Sequence, residues 1–190
     1  MNGQTPLQQG DLDGLCGLYA LLNAVSGADP TLRHVTRKAM FRDAMRWLHR
    51  EGHMPGVLYN GLDIRLIVAL FHAVIRSRRK GLSLKRPFWS RRPADMDSFC
   101  SKLNELAGTP GQAVIIGIAG KTWSHWTVLD EADRSWIKFR DSAHIDWLRR
   151  RSCGLPGDGA AYSINPAEVM LIKNSAYKHS TSPSLTNNTF

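Results

Sequence analysis

Only three cysteines, Cys16, Cys100 and Cys153, occur in 190 residues. An odd number without paired spacing supplies neither a disulfide framework nor a zinc pattern, which fits a reducing compartment. No apolar run reaches the about 20 residues that a membrane-spanning helix needs. Met1-Asn2-Gly3-Gln4-Thr5-Pro6 lacks the basic patch and apolar stretch of a secretory signal. The default expectation is therefore a cytoplasmic protein, export without a signal leaving no mark to read. His34, His49 and His53 lie on or beside one charged segment and form no metal set. Acidic residues are scarce, 16 against 25 Lys and Arg, for a net charge of +9. Such a balance suits an acidic partner, nucleic acid or an anionic membrane surface. The excess gathers in Arg76-Ser77-Arg78-Arg79-Lys80, Lys85-Arg86, Arg91-Arg92 and Arg149-Arg150-Arg151. A basic run is most often a solvated surface, and no zinc finger, RNA-recognition signature or helix-turn-helix spacing accompanies these runs, so beyond a solvated face they are a candidate docking surface.

What is present is enough apolar content, 43%, for one core. The expected organisation is a single domain over 1–174 and a disordered Ser/Thr/Asn-rich tail over 175–190. Leu15, Leu18, Leu22 and Val25 make a helical stripe, which predicts a helix over 14–25 with Asp13 as its cap. A second helix is expected over 31–50, capped by Asp29 or Thr31, with Val35, Ala39, Met40, Met45 and Leu48 inward and Gly52 ending it. Pro55-Gly56 reads as a turn. A third helix, over 62–76, is apolar nearly all round and is expected to be deeply buried, His72 packed with it. A fourth is expected over 95–107, with Cys100 structural. Short strands are expected at 82–84 and 88–89. The second half changes period: 113–118, 125–129, 135–139 and 168–172 read as strands, with 131–134 as a hairpin turn. Helices first and an antiparallel sheet later is an α+β arrangement.

The chain is organised around Gln8-Gln9-Gly10-Asp11-Leu12-Asp13-Gly14-Leu15-Cys16-Gly17-Leu18-Tyr19-Ala20. A polar, glycine-broken loop runs into an apolar helix, and Cys16 stands at the junction. A thiol there faces the unpaired N–H groups and positive dipole end of the helix, a setting that favours the nucleophilic thiolate. His125 opens one predicted strand and Asp141 follows the next. A hairpin returns the end of its second strand to the start of its first, so the two should lie side by side. A carboxylate there fixes the imidazole tautomer and stabilises the imidazolium. Singly, the three residues are an ordinary small core residue, a strand-edge histidine and a turn residue. Their joint placement is what points to Cys–His–Asp chemistry. The backbone N–H of Cys16 can donate to a developing oxyanion, with the side-chain amide of Gln9 or Gln8 as second donor.

At these residues the chain resembles the papain-like cysteine peptidase superfamily: a glutamine ahead of Cys16-Gly17 and a Leu/Ala helix, then Ser124-His125-Trp126-Thr127-Val128-Leu129-Asp130, a turn, and Phe139-Arg140-Asp141-Ser142. It looks most like the small bacterial branch of leader-peptide-cleaving domains of bacteriocin exporters and their stand-alone relatives. Asp13-Gly14-Leu15-Cys16 is also similar to ovarian-tumour-type deubiquitinases, and bacterial glutamine deamidases share the triad order. The resemblance covers two short blocks and leaves about 27–110 unassigned. It implies an N-terminal helical half packed on an antiparallel sheet, with Cys16 as nucleophile, His125 as base and acid, Asp141 as orienter and Gln9 as oxyanion donor. It implies a protein or peptide substrate and no metal or organic cofactor. Two other readings stand beside a peptidase or isopeptidase. One is a deamidase or transglutaminase with the same triad. The other is a non-catalytic module binding an acidic partner or nucleic acid through 76–92.

Overall fold

The computed structural model describes residues 5–10 and 14–177. The expected Asp13 cap and most of the expected tail, 178–190, lie outside these residues.

The fold is built on one strand. In β2 (Gln112–Ala119) the run Ala113-Val114-Ile115-Ile116-Gly117-Ile118 is buried on both faces. Alternate side chains therefore enter two different cores. Ala113 and Ile115 join a cluster with α1 (Cys16–Ala28), while Val114, Ile116 and Ile118 join one with α6 (Met96–Ala107). Period-2 alternation sends each set to one face, and both faces are covered, which is why the run is continuous rather than alternating. The result is a three-layer α+β arrangement, with most helices on one face of the sheet and α6 on the other. A helix on the second face is more than the sequence expectation of one helical half packed on a sheet.

Among the described residues the sheet has eight strands, with β1 (Leu82–Lys85), β8 (Met170–Asn174), β2, β3 (Ser124–Ala132), β4 (Trp136–Arg140) and β5 (Trp147–Arg149) in that spatial order. These neighbours are antiparallel. Two short strands, β6 (Cys153–Gly154) and β7 (Tyr162–Ile164), pair in parallel, and β7 also joins β2. The hairpin turn falls at 133–135, later than expected, because β3 runs on through a register shift between Leu129 and Glu131. The segment 88–89 is not a strand, although Phe88 is buried against Phe99. The last expected strand starts two residues late, since Asn165 caps a 3-10 turn over Pro166–Glu168.

Helix α1 begins at Cys16 itself, after Leu15, and extends to Ala28. Leu18, Leu21, Leu22 and Val25 are fully buried. Each such side chain contributes about 1.5–3 kcal/mol relative to exposure. Helix α2 (His34–Arg50) starts later than expected. Asp29 does not cap it but closes a local turn, its Oδ1 accepting from the Thr31 N–H and hydroxyl. Its buried stripe is Met40, Ala44 and Leu48, with Arg37. Val35 is 62% exposed, against expectation, because at 3.6 residues per turn it lies about 140° round the helix from Met40.

The expected turn at Pro55-Gly56 opens a short helix, α3 (Gly56–Asn60). The third long helix is α4 (Ile64–Leu70), a π-helical turn over Phe71–Ile75 and α5 (Arg76–Arg78). Asp63 caps it by accepting the Leu66 N–H at 2.8 Å. It is buried on one side only, and His72 is exposed rather than packed. On α6, Asp95 and Ser98 form a reciprocal capping box, and Phe99, Cys100 and Leu103 are buried. Among the described residues no helix is long and apolar enough to cross a membrane.

Candidate active site

Cys16, His125 and Asp141, 125 residues apart along the chain, are gathered by two local devices. The first is the β3–β4 hairpin. Its register pairs Val128 with Arg140, which brings Asp141 back beside the start of β3. His125 Nε2 and Asp141 Oδ2 are 2.6 Å apart. The second device is Trp126. Its neighbour His125 points to one face of the strand, so the indole points to the other, against α1. The indole N–H donates to the Leu62 carbonyl at 2.8 Å. A Cβ on Gly17 would stand only 3.2 Å from Trp126 Cδ1 and 3.0 Å from Ile67 Cδ1. The helix thus begins flush against β3, with Cys16 at its first position.

The loop before Cys16 is held as closely. Gly14 N–H donates to the Leu58 carbonyl at 2.9 Å, and a Cβ on Gly14 would meet the Val57 and Leu58 carbonyl oxygens at 2.9 Å. Only glycine lets the loop approach the backbone of α3 this way. The first rungs of α1 run from the Leu18 and Tyr19 N–H groups to the Leu15 carbonyl. The N–H groups of Cys16 and Gly17 precede that ladder, where donors for an anion are found.

All three side chains are buried: Cys16 is 9%, His125 8% and Asp141 5% exposed. Burial works against a charge on His125. The hydrogen bond to Asp141 and its charge, with the nearby Cys16, outweigh it and raise the imidazole pKa to about 9. With Nε2 on Asp141, Nδ1 is the ring nitrogen left for Cys16. Burial likewise acts to raise the Asp141 pKa. His125, Thr127 on the same strand and the Ala143 N–H outweigh it and hold the carboxyl below its ordinary value. Its Oδ1 accepts the N–H groups of Ala143 at 2.6 Å and Ile145 at 3.1 Å. The carboxylate is therefore fixed at both oxygens.

The other cysteines are placed differently. Burial pushes the Cys100 thiol up, and burial with Cys100 as neighbour pushes Cys153 up to about 11. Both stay protonated thiols in the α6-side core, the structural place expected of Cys100.

The segment 5–10 runs beside the three residues. Gln9 N–H donates to the Ser142 carbonyl at 2.8 Å, next to Asp141. Gln9 is half-buried with its Oε1 enclosed, whereas Gln8 is exposed and its amide reaches the Asp141 carbonyl at 3.5 Å. The sequence reading missed what holds this segment. Asn23, 4% exposed, accepts the Leu7 N–H at 2.7 Å and donates to the Leu7 carbonyl at 3.1 Å. Arg37 donates to the Thr5 carbonyl at 3.1 Å. The available signal was a lone amide in an apolar helix seven positions after Cys16, two turns along and on the same face.

The basic runs are partly engaged within the chain. Arg78 pairs with Asp43, Arg79 with Asp29 at 3.6 Å and Arg150 with Asp97. Arg86 donates to the Ala167 carbonyl at 2.6 Å and lies 3.8 Å above the Trp89 ring. Among the described residues no three His, Cys, Asp or Glu side chains gather as metal ligands. No family model, no curated protein and no solved structure matches the chain.

Proposed function

We propose that this chain is a papain-like cysteine hydrolase that cleaves a peptide or isopeptide bond through Cys16, His125 and Asp141, with Gln9 as an oxyanion donor. The observation that carries the reading is His125 held by Asp141 at 2.6 Å, with the buried Cys16 thiol close enough to act on the same ring. That is the constellation a nucleophile, its base and the base's orienter require.

In the proposed cycle, the Cys16 proton passes to His125, giving a thiolate beside an imidazolium that Asp141 stabilises. The thiolate sulfur forms a bond to the substrate carbonyl carbon. The carbonyl oxygen takes the negative charge and accepts hydrogen bonds from the Cys16 N–H and the Gln9 amide. When the tetrahedral intermediate collapses, the C–N bond breaks and His125 gives its proton to the leaving amine. Neutral His125 then takes a proton from water, whose oxygen attacks the thioester. The C–S bond breaks, the acid is released and the proton returns to the sulfur. Gln9 is preferred to Gln8 because it is half-buried and tied to the Asp141 loop, while the Gln8 amide is directed to a backbone carbonyl.

The test is the rate of iodoacetamide alkylation against pH, read site by site by mass spectrometry, on the wild type and on His125→Ala. The reading expects Cys16 to react rapidly below neutral pH, where a free thiol with a pKa of about 8.5 is slow, and His125→Ala to abolish the excess. Reaction no faster than a free thiol in both proteins would sink it. Product mass then assigns the bond: a severed chain for a peptidase, a gain of about one dalton for a deamidase.

A further inference from the structure

The segment 5–10 has a second side. Opposite its ties to Asn23 and Ser142 it walls a cavity of about 430 Å³. Leu7 and Gln8 form that wall, Tyr19 of α1 the base, and Val35, Lys38, Phe41 and Arg42 of α2 the far side. The interior is apolar and aromatic, with the Tyr19 and Phe41 rings 5.5 Å between centroids. Val35, Lys38 and Arg42 lie on the face turned away from the buried Met40–Ala44–Leu48 stripe, so core packing does not account for Val35 there, while Phe41 flanks the stripe, half-buried against the core. Val35 is the one apolar residue of α2 left largely open to solvent.

Two features relate this cavity to the proposed active site. Tyr19 is one helical turn from Cys16 on the same helix. Gln8, on the cavity wall, reaches the carbonyl of Asp141 and precedes Gln9. A third feature describes the occupant. Lys38 and Arg42 are exposed at the mouth, one turn apart, and among the described residues neither is in an ion pair. Elsewhere on this helix Asp43 holds both Arg46 and Arg78. An open cleft with an apolar and aromatic floor, flanked by two cations outside any ion pair, is complementary to a group with an apolar body and an anionic neighbour.

We infer that this cavity is a substrate subsite, and that it receives a large apolar side chain of a peptide while Lys38 and Arg42 receive an adjacent carboxylate. The assignment of the cavity to substrate rests on the hydrolase reading above; its preference for an apolar–acidic pair does not. A chain with a strong positive excess thereby gains a specific place for an acidic peptide, separate from the basic runs at 76–92.

The test separates the two. Binding is measured by fluorescence anisotropy on the Cys16→Ala protein, which cannot turn peptide over under the proposed chemistry. The probes are dye-labelled decapeptides with Gly-Ser flanks and a central Phe-Glu, Phe-Lys or Gly-Gly pair. Phe-Glu is expected to bind about tenfold or more tightly than Gly-Gly, since burial of one aromatic side chain supplies at least that factor. Phe-Lys is expected to bind more weakly than Phe-Glu, with a gap that narrows as salt is raised. Adding Lys38→Glu and Arg42→Glu should invert the order of Phe-Glu and Phe-Lys while leaving the circular dichroism spectrum unchanged, both side chains being exposed. Equal binding of the three probes, or an unchanged order in the charge-reversed protein, overturns the inference. Fast Cys16 alkylation with equal binding rejects the subsite alone. The expected binding order with ordinary Cys16 reactivity rejects the hydrolase reading, and with it the cavity's assignment to substrate, and leaves only its preference for an apolar–acidic pair.

Discussion

Asp141 holds His125 at 2.6 Å through one carboxylate oxygen while the other oxygen is held by the backbone N–H groups of Ala143 and Ile145. A carboxylate fixed in this way cannot swing from the imidazole without losing two further hydrogen bonds. Its charge is a principal reason that the His125 pKa stands at about 9 in spite of burial. Asp141→Asn keeps the shape and removes the charge, so burial acts with less opposition. His125 is then expected to titrate well below about 9, followed through its ring proton resonances by NMR. If the proposed cycle holds, kcat/KM falls in the same variant, because the imidazolium loses the charge that stabilises it. An unchanged titration would mean that Asp141 does not set the charge of the ring.

The same pair fixes a pH signature of stability. His125 has a raised pKa, so its contribution is complete below its ordinary value of about 6.5 and is lost as pH climbs through about 9. Asp141 has a lowered pKa, so its contribution is present above the ordinary carboxylate value and is lost as pH falls through the depressed one. Urea unfolding of the wild type and Asp141→Asn should therefore differ most at about pH 5–6, between the two limits. The difference should shrink above about pH 9.5, where the ring is neutral in both proteins, and shrink again in strong acid. A gap that is constant with pH would assign the variant's loss to packing rather than to charge.

The two glutamines make a sharper comparison, because they are adjacent and differently placed. Gln9→Ala removes the proposed second oxyanion donor and should lower kcat by about 10²–10³ with little change in KM. Cys16 alkylation should be unaffected, since that reaction develops no oxyanion. Gln8→Ala removes an exposed amide whose bond to Asp141 is 3.5 Å long, and should change kcat by less than about threefold. The reverse pattern would move the donor role to Gln8.

How much of this arrangement the sequence discloses depends on the range of the interaction. The juxtaposition of His125 and Asp141 is a local matter: two alternating strands and a polar turn imply it, even though the turn lies later than the periodicity suggests. Cys16 at a helix start is local too, read from the glycine-broken loop and the leucine stripe. The continuous apolar run of β2 was readable as a central strand, yet not the side on which α6 lies, because coverage of both faces leaves no alternation to read. The strands β5, β6 and β7 are two or three residues long and carry too few positions for any period. Val35 and His72 are exposed for a common reason: residue type alone does not set the inward side of a helix, and the angular position of Met40, Ala44 and Leu48 or of Ile67, Leu70 and Val74 does. Asn23 is the instructive omission. Its partner Leu7 is a backbone, and backbone partners leave no trace in side-chain patterns.

That partnership supports the last prediction. Asn23 satisfies both backbone groups of Leu7 from inside the core, on the face of α1 that carries Cys16, and so sets where Gln9 passes the nucleophile. Asn23→Leu preserves size and apolar packing but withdraws both bonds. Leaving such groups unpartnered costs about 1–3 kcal/mol, so the melting temperature should fall by several degrees. The more telling readouts are taken well below that temperature. If Asn23 positions Gln9, kcat drops toward the Gln9→Ala value, KM changes little, and Cys16 alkylation keeps its wild-type pH profile, because the Cys16–His125–Asp141 set is held by Trp126 and the hairpin instead. Asn23→Asp retains the bond accepted from Leu7 N–H and loses the one donated to its carbonyl, and should lie between the two. A variant that melts earlier yet keeps wild-type kcat would show Asn23 to be a stabilising residue with no part in placing the glutamine. A variant that also loses fast alkylation would show that segment 5–10 supports the triad itself.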